Sequence, residues 1–592
     1  MYKWLIVMVM VAIGVGSVAC AQEADEKASP FERIRWADDE PEVLVGGVWY
    51  KAITIDGVEV AEVLEFCDGR WPGMMRKRFG EDLVEAMRLM GHAPNRLVDL
   101  GVMRVSDNER MELSDVAMTK ANRRSILHDS NGRPVPKIVP EYVSRDQAYE
   151  DIDRFCEGLR EQFAYLDLKG VDLEGEIAVI KEGLGERVAT GDLAGVLHRL
   201  LMRFGDGHAR VSSQYMKRPG MYPPFLLAEA GGGVVAFAAD RGGFVDEDYP
   251  YLVEIDGKAI DEWIEAASTT VAAGSDGLVR YRALRGVRSL ELLRVELGLA
   301  ESSRVVCKLA KDPEGGETTE VVLSMNEHRP IYGSWPRTET RVLEGEIGYL
   351  RLEQMRDDLV PHLRMAMKSF RDTRGLIVDV RGNSGGTRSL LTAFAGYLVA
   401  DDQDAWVGNV ARYRLSDRFS EDHLEARSMY RADDPRWSER QRLAVESFAA
   451  DFEAEWSPDG AFSDWHYLVL DRTGHADEFY YGQPVVILSD AGCFSATDIF
   501  LGALSGRSNV TLMGGASGGG SARVQGFELP NTSISVRCAS MVSYQPNGRL
   551  YDGRGVEVDI EVPAAPMDYL VGGSDTVLEA GIEWILESLD GP

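Results

Sequence analysis

The chain has 592 residues, 45% hydrophobic and 27% charged, with 96 acidic against 64 basic side chains and a formal charge of −32. That length exceeds what one hydrophobic core can fill, so three or four domains are expected. A surface so acidic repels phosphate backbones and argues against nucleic acid as a partner.

Lys3 precedes an apolar run from Trp4 to Val15, and small residues follow. The run is too short to span a bilayer comfortably and predicts a signal peptide over 1–21, hence export to the periplasm or cell envelope. Two endings compete. "ACA" before Gln22 fits cleavage after Ala21, while "SVAC" loosely resembles a lipobox in which Cys20 would carry a lipid anchor. No later stretch is long and apolar enough to cross a membrane. The six cysteines, at 20, 67, 156, 307, 493 and 538, form no CxxC pair and no cluster with histidine, so no structural zinc site is expected. Five remain after the leader, an odd number that leaves at least one thiol free.

Residues 42–140 read as an α+β domain without an assigned role. "ITIDGVEVAEVLEF", Ile53 to Phe66, alternates like a strand, turns at Asp-Gly and enters an amphipathic helix. "VEIDGKAIDEWIEA", Val253 to Ala266, repeats that order some two hundred residues later, as a shared supersecondary unit or by coincidence. Over 145–215 the period becomes helical, with Ile152, Phe155, Leu159, Phe163 and Leu166 on one stripe. Residues 220–330 are strand-rich, and Pro330 and Pro336 mark a boundary. Over 337–592 short apolar strands alternate with helical segments, which indicates an α/β domain. A charged, tryptophan-containing stretch, 401–465, is expected as a helical insertion, either a lid or a packed decoration.

Four segments carry residue types that could do chemistry. In "VVILSDAGCFSATDIFLGAL" an apolar strand runs to Ser495, which opens a helix. A serine there sits on a positive helix end where an oxyanion is favoured, or is simply an N-cap. In "RFGDGHARV" His208, one of nine histidines, follows a Gly-Asp-Gly turn and is a base or an ordinary solvated side chain. In "NGRLYDGRGVEVDIEV" Asp552 lies in a glycine-punctuated turn, where aspartate is common without any catalytic duty. In "GLIVDVRGNSGG" a strand ends in Asp379, Arg381 and glycines that expose backbone amides. Phosphate binding would want a Gly-Lys-Ser/Thr loop or a dinucleotide fingerprint, and neither is present.

Together these segments resemble the tail-specific, or carboxy-terminal processing, serine peptidases, and especially their tricorn-like, histidine-based branch. "LIVDVRGNSGG" is similar to the family's Arg-Gly-Asn-x-Gly-Gly strand end, and "CFSATD" to its Ser-Ala-x-Glu nucleophile segment, with Asp498 for Glu. "DGRGVEVDIEV" is similar to its Glu-Gly-x-Gly-Val-x-Pro-Asp segment, with Asp552 for Glu and Val558 for Pro. The processing branch uses a lysine base some twenty-five residues after the nucleophile. Here that region reads "MGGASGGGSARVQGF", with Ser521 or a neighbouring glycine in the slot. The resemblance covers about 145–562 and leaves 42–140 outside. It implies a multidomain α/β protein with a crotonase-like catalytic core and a PDZ-like or related β-rich module. It further implies a Ser495 nucleophile, a His208 base oriented by Asp552, and an oxyanion hole from Gly385, Gly386 and the Ala496 amide. The substrate would be a peptide or unfolded protein, and no metal or organic cofactor is implied. Two other classes stand beside the peptidase. One is a catalytically decayed ligand- or peptide-binding protein on the same fold, as in interphotoreceptor retinoid-binding proteins. The other is an adaptor built on the repeated Asp-Gly modules.

Overall fold

A computed structural model describes residues 28–37, 40–71, 74–130, 139–400, 402–416 and 424–590; the expected signal peptide and Cys20 lie outside them. The chain divides into two compact units, Met1–Val139 and Pro140–Pro592. Among the described residues no helix is long and apolar enough to cross a membrane.

In the first unit an antiparallel sheet runs in the order Arg33–Ala37, Glu40–Val45, Val48–Ile55, Leu97–Arg104, Arg110–Ala117, with Val58–Glu59 folded back on Val48–Ile55. Val43, Ile55, Leu100 and Val102 pack with Val63 of helix Val60–Arg70 and with Leu83 and Val84 of helix Leu83–Leu89 in one core.

The β-rich module of the second unit has the same strand plan. Its order is Phe225–Ala230, Gly233–Ala238, Tyr251–Ile255, Arg304–Ala310, Thr318–Ser324, with Lys258–Ala259 folded back on Tyr251–Ile255. The repeat seen in the sequence is therefore a repeat of structure. Asp56 and Asp256 share φ 49°, and Gly57 and Gly257 share φ 77°, the left-handed values that an Asp-Gly hairpin turn requires. Asp56 Oδ1 accepts the Asp99 amide at 2.8 Å, and Asp256 Oδ1 accepts the Val306 amide at 3.0 Å, so each turn is tied to the next strand alike. Even the bulges coincide: the register shifts between Ala52 and Thr54 in one copy and between Leu252 and Glu254 in the other.

The expected helical region forms from helices Arg145–Gln162, Leu173–Glu182 and Thr190–Met202. Ser144 caps the first through a capping box with Gln147. Ile152, Phe155, Leu159 and Phe163 of the predicted stripe are fully buried, and Leu166 packs at the edge of their core.

The catalytic candidate region is built on a six-stranded sheet ordered Arg341–Leu343, Ile347–Arg351, Gly375–Asp379, Val485–Ser489, Val510–Gly514, Ile560–Glu561, parallel except for the first pair. Both faces are covered, which is why its strands read as unbroken apolar runs. Leu376, Val378, Val485 and Ile487 enter one core, and Ile377, Val486 and Leu488 enter another beneath helix Thr576–Asp590. The stretch 401–465 differs from the helical insertion expected. Among its described residues the one α-helix is Glu439–Asp451, while Trp406–Tyr413 is an inner strand between His466–Leu470 and Met541–Tyr544. The charged flanks suggest a solvated helix, but Val407 to Ala411 are buried, and that apolar segment pairs as a strand.

Candidate active site

Strand Val485–Ser489 is buried throughout, and the chain leaves it through a short turn to reach helix Ala496–Leu504. Ser495 stands at the junction with φ 62° and ψ −118°, a conformation that costs a non-glycine residue about 1–3 kcal/mol. Its side chain makes no capping hydrogen bond. Instead Ser495 Oγ lies 3.1 Å from His208 Nε2.

His208 arrives from 287 residues away in sequence through sheet pairing. Strand Arg210–Ser212, just after it, pairs with Ser535–Ala539. Asp206, fully buried, locks the approach: Oδ1 accepts the His208 amide at 2.8 Å and Oδ2 the Ala539 amide at 2.7 Å. The imidazole lies against the Phe494 ring at 4.5 Å between centroids, and Arg282 sits 4.4 Å from that ring. Burial, then the charges of Arg282, Arg427 and Arg537, push His208 down to about 3, so the imidazole is neutral and able to accept a proton.

The third expected member, Asp552, is buried beside the histidine without bonding it. Its Oδ2 accepts the Tyr165 hydroxyl at 2.7 Å and the Ser521 amide at 2.9 Å. Asp552 Oδ1 and His208 Nδ1 are both buried and both lack a hydrogen-bond partner. The aspartate is one methylene shorter than the glutamate of the family pattern, and its outer oxygen is already tied down. A second carboxylate shares the place, since Asp206 Oδ1 is 3.8 Å from His208 Nδ1. One ligand atom each from Asp206, His208 and Asp552 falls within 4.8 Å of the other two. Burial raises Asp552 to about 8 with Asp206 adding to it, and burial raises Asp206 to about 6. Two carboxyls this close in a dry site hold one proton between them near neutrality. The spacing of the trio suits a divalent cation, but both oxygens of Asp206 and one of Asp552 already accept hydrogen bonds.

Of the glycines expected to bind an oxyanion, Gly385 has another task. Its amide donates to Asn383 Oδ1 at 2.9 Å and is unavailable to a ligand. A Cβ on Gly385 would meet Phe494 O at 2.6 Å, Ser495 Cβ at 2.7 Å and Ala496 N at 2.9 Å, so its lack of a side chain lets the loop touch the nucleophile. Among the described residues the Gly386 amide makes no hydrogen bond. Ala496 opens its helix, where the first amides lack intrahelical acceptors. Buried Asn383 fixes the loop by also accepting Thr497 Oγ1 at 2.8 Å and donating to Leu352 O at 2.9 Å. Asp379 and Arg381 pair structurally, and Arg351, Tyr349 and Asp575 complete their network.

Asp498 accepts Ser517 Oγ at 2.5 Å and the Gly519 and Gly520 amides at 3.0 Å each. It thereby holds the glycine loop, and the Ser521 amide, in the slot where a lysine base would stand, binds Asp552. Tyr165 and Arg282 contribute without having been visible in the sequence, and Asn383 lies within the matched glycine motif but has no role assigned there. Tyr165 follows helix Arg145–Gln162 among core residues, where an aromatic reads as core, and only its hydroxyl distinguishes it.

The model of peptidase family S41 matches residues 346–562. Comparison with curated protein sequences gives no match. Among solved structures, mature CPAF shares 17% identity over 74% of this chain and 96% of that chain, with a TM-score of 0.53. Mature CPAF complexed with lactacystin shares 16% over 75% of this chain and 97% of that chain, with a TM-score of 0.51. At such identities the likeness speaks to the fold alone.

Proposed function

Residues 346–562 belong to peptidase family S41, that of the tail-specific proteases, and from that premise we propose that this chain is an exported serine endopeptidase using Ser495 as nucleophile and His208 as base. The observation that carries the reading is the 3.1 Å approach of His208 Nε2 to the hydroxyl of a conformationally strained serine.

In this reading Ser495 Oγ attacks the scissile carbonyl as His208 Nε2 takes its proton. The oxyanion lies between the amides of Gly386 and Ala496, with the positive end of helix Ala496–Leu504 behind it. His208 passes the proton to the departing amine. It then deprotonates water, which attacks the acyl-enzyme and frees Ser495. The developing imidazolium is stabilised by the single negative charge of the Asp206–Asp552 pair, and the Nδ1 proton moves toward whichever oxygen is ionised. The substrate is a peptide or unfolded protein.

A fluorophosphonate probe tests this. Labelling and peptide hydrolysis in the wild type, both abolished in Ser495→Ala and strongly reduced in His208→Ala, are the expected results. The unpartnered Nδ1 of His208 favours a second reading, a decayed binding protein on the same fold. A wild type that takes no label and cleaves no peptide establishes that reading instead.

A further inference from the structure

A cleft of about 720 Å³ runs beside the glycine loop, lined by Gly382 and Ser384 of that loop and by Phe494, the residue before the nucleophile. A smaller cavity of about 200 Å³ adjoins it, and Tyr281, Arg285, Gly333 and Gly382 line both. In a molecule with a net charge of −32 the cleft lining carries more arginine than acid, five arginines against Glu339 and Glu353. Two of its arginines are neutralised internally, Arg351 by Asp379 and Arg356 by Asp358. Arg282, Arg285 and Arg337 have no carboxylate within ion-pair distance among the described residues. Two carboxylates, Glu339 and Glu353, line the cleft as well, while in the adjoining cavity Glu229 is paired with Arg280 and Asp490 accepts the Gly382 and Gly492 amides.

Arg285 is the most sharply posed of the three. It projects from helix Asp276–Gly286 and lies between two rings, 4.2 Å from the centroid of Tyr281 and 4.1 Å from that of Tyr332. Its backbone carbonyl accepts Arg288 Nε at 2.8 Å, which anchors the turn that carries it. Arg241 and Arg282, by contrast, spend guanidinium donors on backbone carbonyls, those of Tyr569 and Tyr332 for the first and of Gly207 for the second. No guanidinium N–H of Arg285 is used within the described residues. An arginine held between aromatic faces keeps its planar fork edge-on and pre-oriented, the arrangement that binds a carboxylate in bidentate fashion.

We infer that Arg285, clamped by Tyr281 and Tyr332, is a specificity residue that binds a carboxylate of the peptide in the cleft. This rests on the peptidase reading above and names the substrate class, peptides with an acidic group near the scissile bond. The carboxylate belongs to a Glu or Asp side chain.

The test uses the full chain and matched fluorogenic peptides. One pair differs as Glu against Gln at each position in turn, the other as C-terminal acid against amide. The wild type is expected to favour the carboxylate member about ten- to a hundredfold in kcat/KM, the range of one charge-assisted contact. In Arg285→Gln that ratio falls to about one, and Arg285→Lys keeps part of it. The ratio within one protein cancels any general loss from misfolding. A preference in the first pair that is lost in Arg285→Gln supports the side-chain contact, and one confined to the second pair overturns it. Anisotropy of the same peptides, fluorescein-labelled, on Ser495→Ala reads the preference without turnover, so it stands if the hydrolase reading falls. Equal handling of both members of both pairs by the wild type, or a preference that survives in Arg285→Gln, overturns the inference.

Discussion

Replacing Asp552 by Asn separates two roles of that carboxyl, because one of its oxygens is occupied and the other is not. Asn Oδ1 can take over the bonds from the Tyr165 hydroxyl and the Ser521 amide, so the turn should hold. What disappears is the charge. The groups facing it are Asp206, Asp498, Tyr165 and neutral His208, and Asp206 and Asp498 both raise Asp552. A carboxyl raised from 3.8 to about 8 keeps its proton in the folded chain where the unfolded chain has lost it. The folded state then binds more protons, and stability falls as pH rises through that window. At 1.36 kcal/mol per unit for one proton, the wild type should lose about 2–3 kcal/mol between pH 6 and pH 8 through this group. Asp552→Asn should lose less over the same window, keeping only what Asp498, raised by burial to about 7, and Asp206, raised to about 6, contribute. Calorimetry at pH 6, 7 and 8 gives the comparison, with the infrared band of a protonated carboxyl, present in the wild type at pH 7 and diminished in the variant, as a direct check. Turnover should fall at least about a hundredfold, because the new amide faces His208 Nδ1 as a donor and favours the tautomer that cannot accept the serine proton. An Asp552→Asn protein with wild-type turnover and the wild-type slope of stability against pH would refute both the shared proton and any role for Asp552 beside the histidine.

Other outcomes follow from the same site. A solvated histidine would place the acid limb of kcat/KM near 6.5, but burial pushes His208 down, so hydrolysis should persist well below that pH; a limb at or above 6.5 in the pH profile contradicts the buried base. Gly385→Ala drives a methyl group into Phe494 O and Ser495 Cβ at a φ of +102°, and fluorophosphonate labelling should slow at least about a hundredfold; an unchanged labelling rate removes the loop from the site. Prolonged treatment with a chelator should leave peptide hydrolysis intact, since most carboxylate oxygens of the Asp206–His208–Asp552 trio are committed. Loss of turnover that zinc or magnesium restores would place a cation there.

Ser495 and His208 were legible because each lies at a boundary between elements, where a polar residue interrupts a pattern. The strand ending at Ser489 and the Gly-Asp-Gly turn at 205–207 are visible as changes of period. Their meeting was not legible, since it depends on Arg210–Ser212 pairing with Ser535–Ala539, a contact across more than three hundred residues. Asp206 forms the Gly-Asp-Gly turn, and the same carboxylate lies 3.8 Å from His208 Nδ1. Gly385 shows the opposite failure: its motif was recognised, but which amide stays free depends on where the Asn383 side chain turns. The strand Trp406–Tyr413 was hidden by charged neighbours, because burial of a short segment is decided by its partners.

The Asp-Gly hairpin that occurs at 56–57 and again at 256–257 makes this chain its own relative. One strand order, bulge included, occurs twice in the chain and is put to unequal use. In the second copy the segment that follows the hairpin includes a helix that supplies Tyr281, Arg282 and Arg285 to the cleft. In the first copy the corresponding segment, 60–89, packs its apolar face into its own core and has no such duty there. Such a spare copy can drift in its loops while its frame stays fixed by Asp56, so it offers a ready host onto which the arginine-bearing helix of its sibling could be transplanted.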